Sequence, residues 1–208
     1  ISAAKNSLIS PQQYQHDVNV MADDASAGRP KIGLLYEQYA KRCFMAGAME
    51  FDDLLYKMYY LLDKFPDALH KYQQRFRYIM IDEFQDTNGA QYAIVKKLGD
   101  VHQNICVVGD DAQSIYSFRG ATIANILNFE KDYPELQVFK LEQNYRSTKH
   151  IVHAANKVIG NNKMQITKEI WTENHIGEKI KLVKAGSDND EGKMVVDSIF
   201  EEKMRNQR

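Results

Sequence analysis

Tyr78-Ile79-Met80-Ile81-Asp82-Glu83-Phe84-Gln85-Asp86 is an apolar run that ends abruptly in acids. It reads as a buried strand of a parallel sheet, delivering carboxylates to the carboxyl-terminal edge where open α/β sheets bind ligands. An Asp-Glu pair at that edge suits a nucleotide hydrolase. One carboxylate holds Mg²⁺ against the phosphates, and its neighbour polarises the attacking water. The competing reading is an ordinary strand with a solvated acidic turn. Nine residues do not separate the two.

The flanking sequence sets the context. Upstream, Ile32, Leu35, Tyr36 and Tyr39 share one face of a predicted helix. Phe51, Leu54, Leu55, Met58, Leu61 and Leu62 form the stripe of a second, read as core packing. Pro66 opens a third, with Leu69, Tyr72 and Phe76. The first 30 or so residues read as polar and irregular, with Asp23 to Pro30 a mobile loop. Downstream, Asp86, Thr87 or Asn88 caps a helix that stops at Gly99. Ile105 to Val108 is a second buried strand, placing Cys106 in the core. Ile123, Ile126 and Leu127 mark another helix. Val138 to Leu141 is a third strand. Ser147 or Thr148 caps a helix ending at Gly160. Lys179 to Ala185 alternates like a fourth strand, and a last helix starts at Asp188, Asn189 or Asp190. This alternation predicts an α/β fold with a largely parallel sheet behind a helical amino-terminal part.

Three of these strands run into polar loops. They are Asp82 to Asp86, Gly109 to Ala121 and Leu141 to Thr148. In one parallel sheet they share an edge, so their side chains can converge.

These loops resemble motifs II, III and IV of the UvrD/PcrA/Rep family of superfamily-one DNA helicases, in order and in spacing. Ile1-Ser2-Ala3-Ala4-Lys5-Asn6 and Phe51-Asp52-Asp53-Leu54-Leu55 resemble further family segments. The resemblance implies RecA-like motor domains and an ATP-driven, 3′ to 5′ translocase. Its cofactors are ATP and Mg²⁺, and its track is single-stranded DNA up to duplex junctions, in repair or replication. It implies that Asp82 binds Mg²⁺, Glu83 activates the water and Gln113 senses the γ-phosphate. Arg146 acts as an arginine finger, and Tyr145 lies against the adenine. Tyr116 and Phe118 stack on bases, which tolerates any sequence; the competing reading for both is a buried hairpin core. Phe118 stands where family members often carry tryptophan. Arg119 either contacts DNA or tethers the acidic loop. Gln85 and Asp86 either link the site to other motifs or serve a local turn. The resemblance divides the chain into the remainder of an inserted helical subdomain (1–48), the second half of a first motor domain (49–136) and the start of a second (137–208). Alternatives are the helicase portion of a RecB/AddA-type helicase-nuclease and a non-catalytic DNA-binding relative.

Composition bounds the rest. A net charge of -1 provides no global field for nucleic acid, so any contact is a local track. Two cysteines give no disulfide framework and fit a cytoplasmic, reducing setting. No apolar stretch approaches the roughly 20 residues that span a bilayer. His150 and His153 lie one helical turn apart without cysteine or carboxylate partners, as on a solvated helix face; Trp171 reads as a packing anchor. The phosphate-cradling pattern Gly-x-x-x-x-Gly-Lys-Ser/Thr is absent from these 208 residues. The expectation is an internal piece of a longer motor, incomplete as a P-loop NTPase and inactive alone.

Overall fold

The computed structural model describes residues 1–117 and 120–205. The chain divides into two compact units, Ile1–Phe139 with Met164–Thr167, and Lys140–Lys163 with Lys168–Arg208.

The first unit opens with helices, where the sequence suggested irregular chain. They are α1 (Ser2–Asn6), α2 (Pro11–His16) and α3 (Val18–Ser26). Each is too short to display an apolar stripe, and local caps set two of them. Ser10 and Gln13 form a capping box around Pro11, and Asp17 accepts from the backbone N–H of Asn19 and Val20. Next come α4 (Ile32–Met45), α5 (Phe51–Lys64) and α6 (Pro66–Arg75), at the positions the periodicity predicted. The predicted stripes are only partly covered. Tyr36 and Leu62 are buried, whereas Leu35, Leu54 and Phe51 are exposed.

Lys5 of α1 is buried between Glu50 and Asp53, at 2.6 and 2.9 Å. Asn6 donates to Asp52 Oδ1 (3.2 Å) and accepts from Asn88 Nδ2 (3.1 Å). The two segments at 1–6 and 51–55 are therefore one polar joint.

The sheet is smaller than predicted. β1 (Ile79–Ile81) and β2 (Ile105–Val107) pair in parallel, Ile79 with Ile105 and Ile81 with Val107. Their connection is α7 (Gly89–Gly99), started by the Asn88–Gln91 capping box. Gly99 closes α7 against the strands. A Cβ there would lie 2.3 Å from Ile105 Cδ1 and 3.7 Å from Ile79 Cδ1. The strands are not buried on both faces. Met80 and Cys106, side by side in register, are exposed, which corrects the reading of Cys106 as core. Two short helices, α8 (Ala124–Leu127) and α9 (Phe129–Asp132), complete the unit. Its aromatic core joins Phe84, Tyr92, Phe129 and Tyr133, with ring centroids 4.6 to 6.3 Å apart.

Val138 to Leu141 is not a strand, and neither is Lys179 to Ala185. Phe139, Leu141 and Leu182 are 81, 85 and 99% exposed. An extended apolar segment becomes a strand only when a neighbouring strand pairs with it along its length, and β1 and β2 pair with each other rather than with either segment. In the second unit, α10 (Lys149–Ile159) packs Val152 inward. Trp171 anchors Glu142 to Asn144 through its backbone while its ring stays half-exposed. α11 (Asp188–Arg205) buries no residue. The described structure is thus a helix-rich α/β arrangement around a two-stranded parallel sheet. None of the described helices is long and apolar enough to cross a membrane.

Candidate functional site

The site grows from the ends of β1 and β2. Past Ile81 the pairing continues for one step, Val108 N donating to Ile81 O (2.8 Å) and Phe84 N to Val108 O (2.9 Å). Between these bonds the chain must turn sharply. Glu83 makes the turn in the left-handed region, φ 50° and ψ 42°. Such a conformation is uncommon for a side chain with a Cβ and costs on the order of 1–3 kcal/mol. The surroundings enforce it. Phe84 is fully buried against Tyr92 and Phe129, and Phe84–Asp86 forms a 3-10 turn closed by Asp86 N on Glu83 O. With Phe84 driven inward, Asp82 and Glu83 are left exposed. Asp82 Oδ1 accepts from Glu83 N (2.9 Å), which fixes one oxygen of that carboxylate.

The loop after β2 abuts this turn. Gly109 is tight, since a Cβ there would lie 2.8 Å from Gln85 Oε1. Asp110 caps a second 3-10 turn, Asp111–Gln113, by accepting from Ala112 N. Gln113, exposed, donates to Asp110 Oδ2 (2.8 Å). Asp111 is buried and accepts from Ile166 N (2.8 Å). Tyr116 is 38% exposed, so a buried hairpin core does not describe it. Beyond it, Ala121 bridges to Asn88 and Thr122 N donates to Thr87 O. Asn125 adds bonds to Thr87 O and Oγ1, so the loop returns onto the first motif. Phe118 and Arg119 lie outside the described residues.

Gln85 joins the two turns. It is 1% exposed; its Nε2 donates to Glu83 Oε2 (2.8 Å) and its Oε1 accepts from Asp110 N (3.0 Å). Of the two roles the sequence left open for it, linkage is the one seen. Asp86 differs: its Oδ1 is buried with no hydrogen-bond partner among the described residues.

The structure therefore brings Asp82 and Glu83 at the first turn beside Gln113 on the second, with Tyr116 three residues further along that loop. Tyr145 and Arg146 belong to the second unit. There Asn144 Oδ1 accepts from the backbone N–H of Arg146 and Ser147. Tyr145 donates its hydroxyl to Gln143 Oε1 (2.7 Å), and the Tyr145 and Arg146 side chains are exposed. Sequence reasoning gave Asn88 only the part of a candidate helix cap and Lys5 and Asn6 only a place in a family-like segment; the polar joint they form was not foreseen.

Among the described residues no three His, Cys, Asp or Glu side chains form a cage for a metal. The donors available at the strand end are exposed carboxylates, which are hard oxygen ligands. Mg²⁺ is commonly held by one or two carboxylates, with water and phosphate completing the octahedron. The donor set fits that ion and does not fit one needing an all-protein cage.

Comparison with known proteins agrees with this arrangement of motifs. Residues 1–134 match the UvrD/REP helicase N-terminal domain, and residues 139–208 match the UvrD-like helicase C-terminal domain. The chain is 45% identical over 201 residues to the ATP-dependent DNA helicase PcrA of Bacillus subtilis, covering 97% of this chain and 26% of that protein. Against the proteins of the same name from Staphylococcus epidermidis and Staphylococcus aureus it is 44% and 45% identical, over 96% of this chain and 27% of each. The chain thus spans about a quarter of the length of the curated relatives it matches. Two family domains, met in sequence order across nearly every residue, leave one assignment: the chain belongs to the UvrD/REP helicase family.

Proposed function

We propose that this chain is the central part of an ATP-dependent DNA helicase that couples hydrolysis to 3′ to 5′ movement on single-stranded DNA and duplex unwinding, in cytoplasmic repair or replication. The observation that carries the reading is the pair of exposed carboxylates, Asp82 and Glu83, turned out at the end of β1 beside the Gln113 turn at the end of β2. In the intact protein β1 and β2 belong to a larger RecA-like sheet. Residues 1–48 are the remainder of an inserted helical subdomain, 49–136 complete the first motor domain, and 137–208 begin the second.

The roles divide by chemistry. Asp82 and phosphate oxygens hold Mg²⁺, which when bound neutralises the charge that develops on the transferred phosphoryl group. Glu83 orients and deprotonates the attacking water. Its exposed carboxylate stands on a left-handed backbone next to the buried Phe84, in position to serve as that base. Gln113 senses the γ-phosphate through its side-chain amide. Arg146 supplies the guanidinium of an arginine finger, and Tyr145 offers its exposed ring to the adenine. Tyr116, with Phe118, stacks on bases, and Arg119 serves the DNA backbone or the acidic loop.

The test is ATP hydrolysis by the full-length protein with and without a dT oligonucleotide, beside Glu83→Gln. Loss of a positioned base is expected to lower turnover by about 10²- to 10⁴-fold while nucleotide still binds. Hydrolysis that ignores DNA, or that survives the substitution, rejects the reading.

A further inference from the structure

We infer that Gln85 is the positioning residue through which the loop after β2 sets the Glu83 carboxylate, so that DNA contact on that loop governs hydrolysis. The inference rests on the reading of Glu83 as the base given above.

Three observations carry it. Gln85 is 1% exposed, so water cannot substitute for partners its amide loses. Its two ends serve two different motifs, Nε2 donating to Glu83 Oε2 at 2.8 Å and Oε1 accepting from Asp110 N at 3.0 Å. Its backbone carbonyl accepts from Ser114 Oγ at 3.4 Å, so both ends of the Asp111–Gln113 turn meet the one residue. The contact is also tight. Gly109 comes so close that a Cβ would sit 2.8 Å from Gln85 Oε1.

A carboxamide is planar and rigid, and its donor and acceptor cannot move independently. A buried polar group left unmatched bears its full desolvation cost. When the Asp110 N–H shifts, the amide must follow it or lose the bond. If it follows, its NH₂ moves on Glu83. The turn that begins at Asp110 also carries Gln113, bonded back to Asp110, and leads on to Tyr116. A base stacking on Tyr116 and a phosphate touching Gln113 both bias the position of Asp110. Gln85 occupies a lone pair of the Glu83 carboxylate and so sets the direction in which the other oxygen faces. Displacing the loop releases or re-aims that carboxylate.

The experiment compares Gln85→Met and Gln85→Glu with the unchanged full-length protein and with Glu83→Gln. Mg-ATP turnover is measured with and without a dT oligonucleotide, after thermal unfolding confirms each variant is folded. Methionine keeps the volume and removes both bonds. Glutamate keeps an acceptor for Asp110 N and removes the donor to Glu83. DNA-stimulated kcat is expected to fall about tenfold or more in both, within the range a positioned base contributes. KM for ATP stays within about threefold, because a displaced base lowers turnover without weakening nucleotide binding. The ratio of stimulated to unstimulated turnover moves toward one. A merely structural role would move the unfolding temperature, KM and kcat together. If Gln85→Met does not fold, Gln85→Glu decides. If a folded Gln85→Glu keeps the stimulation ratio and kcat while Glu83→Gln is inactive, this inference fails and the reading of Glu83 stands. If Glu83→Gln remains active, the reading fails and takes the inference with it.

Discussion

Lys5 carries a charge into a position only 2% exposed, and its surroundings decide whether that stabilises the fold. Burial opposes the ammonium, but hydrogen bonds to Glu50 and Asp53 outweigh it and hold the Lys5 pKa above its ordinary 10.5. Burial likewise pushes Asp53 up. The bond from Lys5 and the backbone N–H of Glu50 more than reverse this, and its pKa falls below the usual 3.8. Glu50 is lowered by its bonds from Lys5 and from the Tyr39 hydroxyl. The signs follow from linkage. The Asp53 contribution is present above the unfolded carboxylate value and is lost as pH falls through the depressed folded one. The Lys5 contribution is present below 10.5 and is lost as pH rises through the raised value. Stability should therefore be level between about pH 5 and 9 in this respect and decline on the acid side. Lys5→Met tests both points. It strands the Asp53 side chain, 10% exposed, without its cation. Breaking a buried pair from one side costs about 3–5 kcal/mol; the partly exposed Glu50 argues for the lower end. Urea unfolding at neutral pH should show a loss near 3 kcal/mol, and the acid decline should shrink in the variant. A loss under about 1 kcal/mol, as for a surface pair, would refute the account.

At the level of elements, the aromatic cluster decides where the acids point. Phe84 is wedged between Tyr92 of α7 and Phe129 of α9, with centroids 5.7 and 5.3 Å away. It is the residue next to the left-handed Glu83, so removing it frees the turn as well as leaving a cavity. Phe84→Ala is expected to cost about 3–5 kcal/mol and to lower turnover in the full-length protein even at temperatures where it stays folded. Retained turnover in the folded variant would show that the turn holds without its wedge. The same elements show what a sequence discloses. α5, α6, α7 and α10 were legible because their signals are local: a stripe, Pro66, a cap among Asp86, Thr87 and Asn88, Gly99 and Gly160. α1 to α3 were missed because five to nine residues are too few for a stripe. Val138 to Leu141 misled because an apolar run is only half of a strand; the other half is a neighbour that no local pattern contains. Asp82, Glu83 and Gln113 could be picked out as residue types at strand ends. The positive φ of Glu83 and the two-ended bond of Gln85 arise only once both loops are folded against each other.

For the whole molecule, the distribution of parts sets what this chain does unaided. Asp82 and Glu83 offer a phosphate two negative charges, and the chain as a whole is at -1. On the proposed function, binding Mg-ATP would therefore need a strong counter-anchor. In P-loop enzymes that anchor is a glycine-rich cradle of backbone N–H groups with its lysine, at a helix N-terminus. No Gly-x-x-x-x-Gly-Lys-Ser/Thr occurs in these 208 residues; Gly192-Lys193 is followed by Met194, inside α11. Arg146 supplies positive charge, but in the arginine-finger role proposed for it, it would act on a phosphate already held and would not capture it. The prediction is that the 208-residue chain alone hydrolyses ATP at least about a thousandfold more slowly than the full-length protein, since phosphoryl transfer depends almost wholly on positioning and electrostatics. Calorimetric titration with Mg-ATP should accordingly show no saturation at micromolar concentrations. Tight binding by the chain alone would mean that its own basic side chains form a phosphate anchor, and the division of labour between this chain and the remainder of the helicase would have to be redrawn around them.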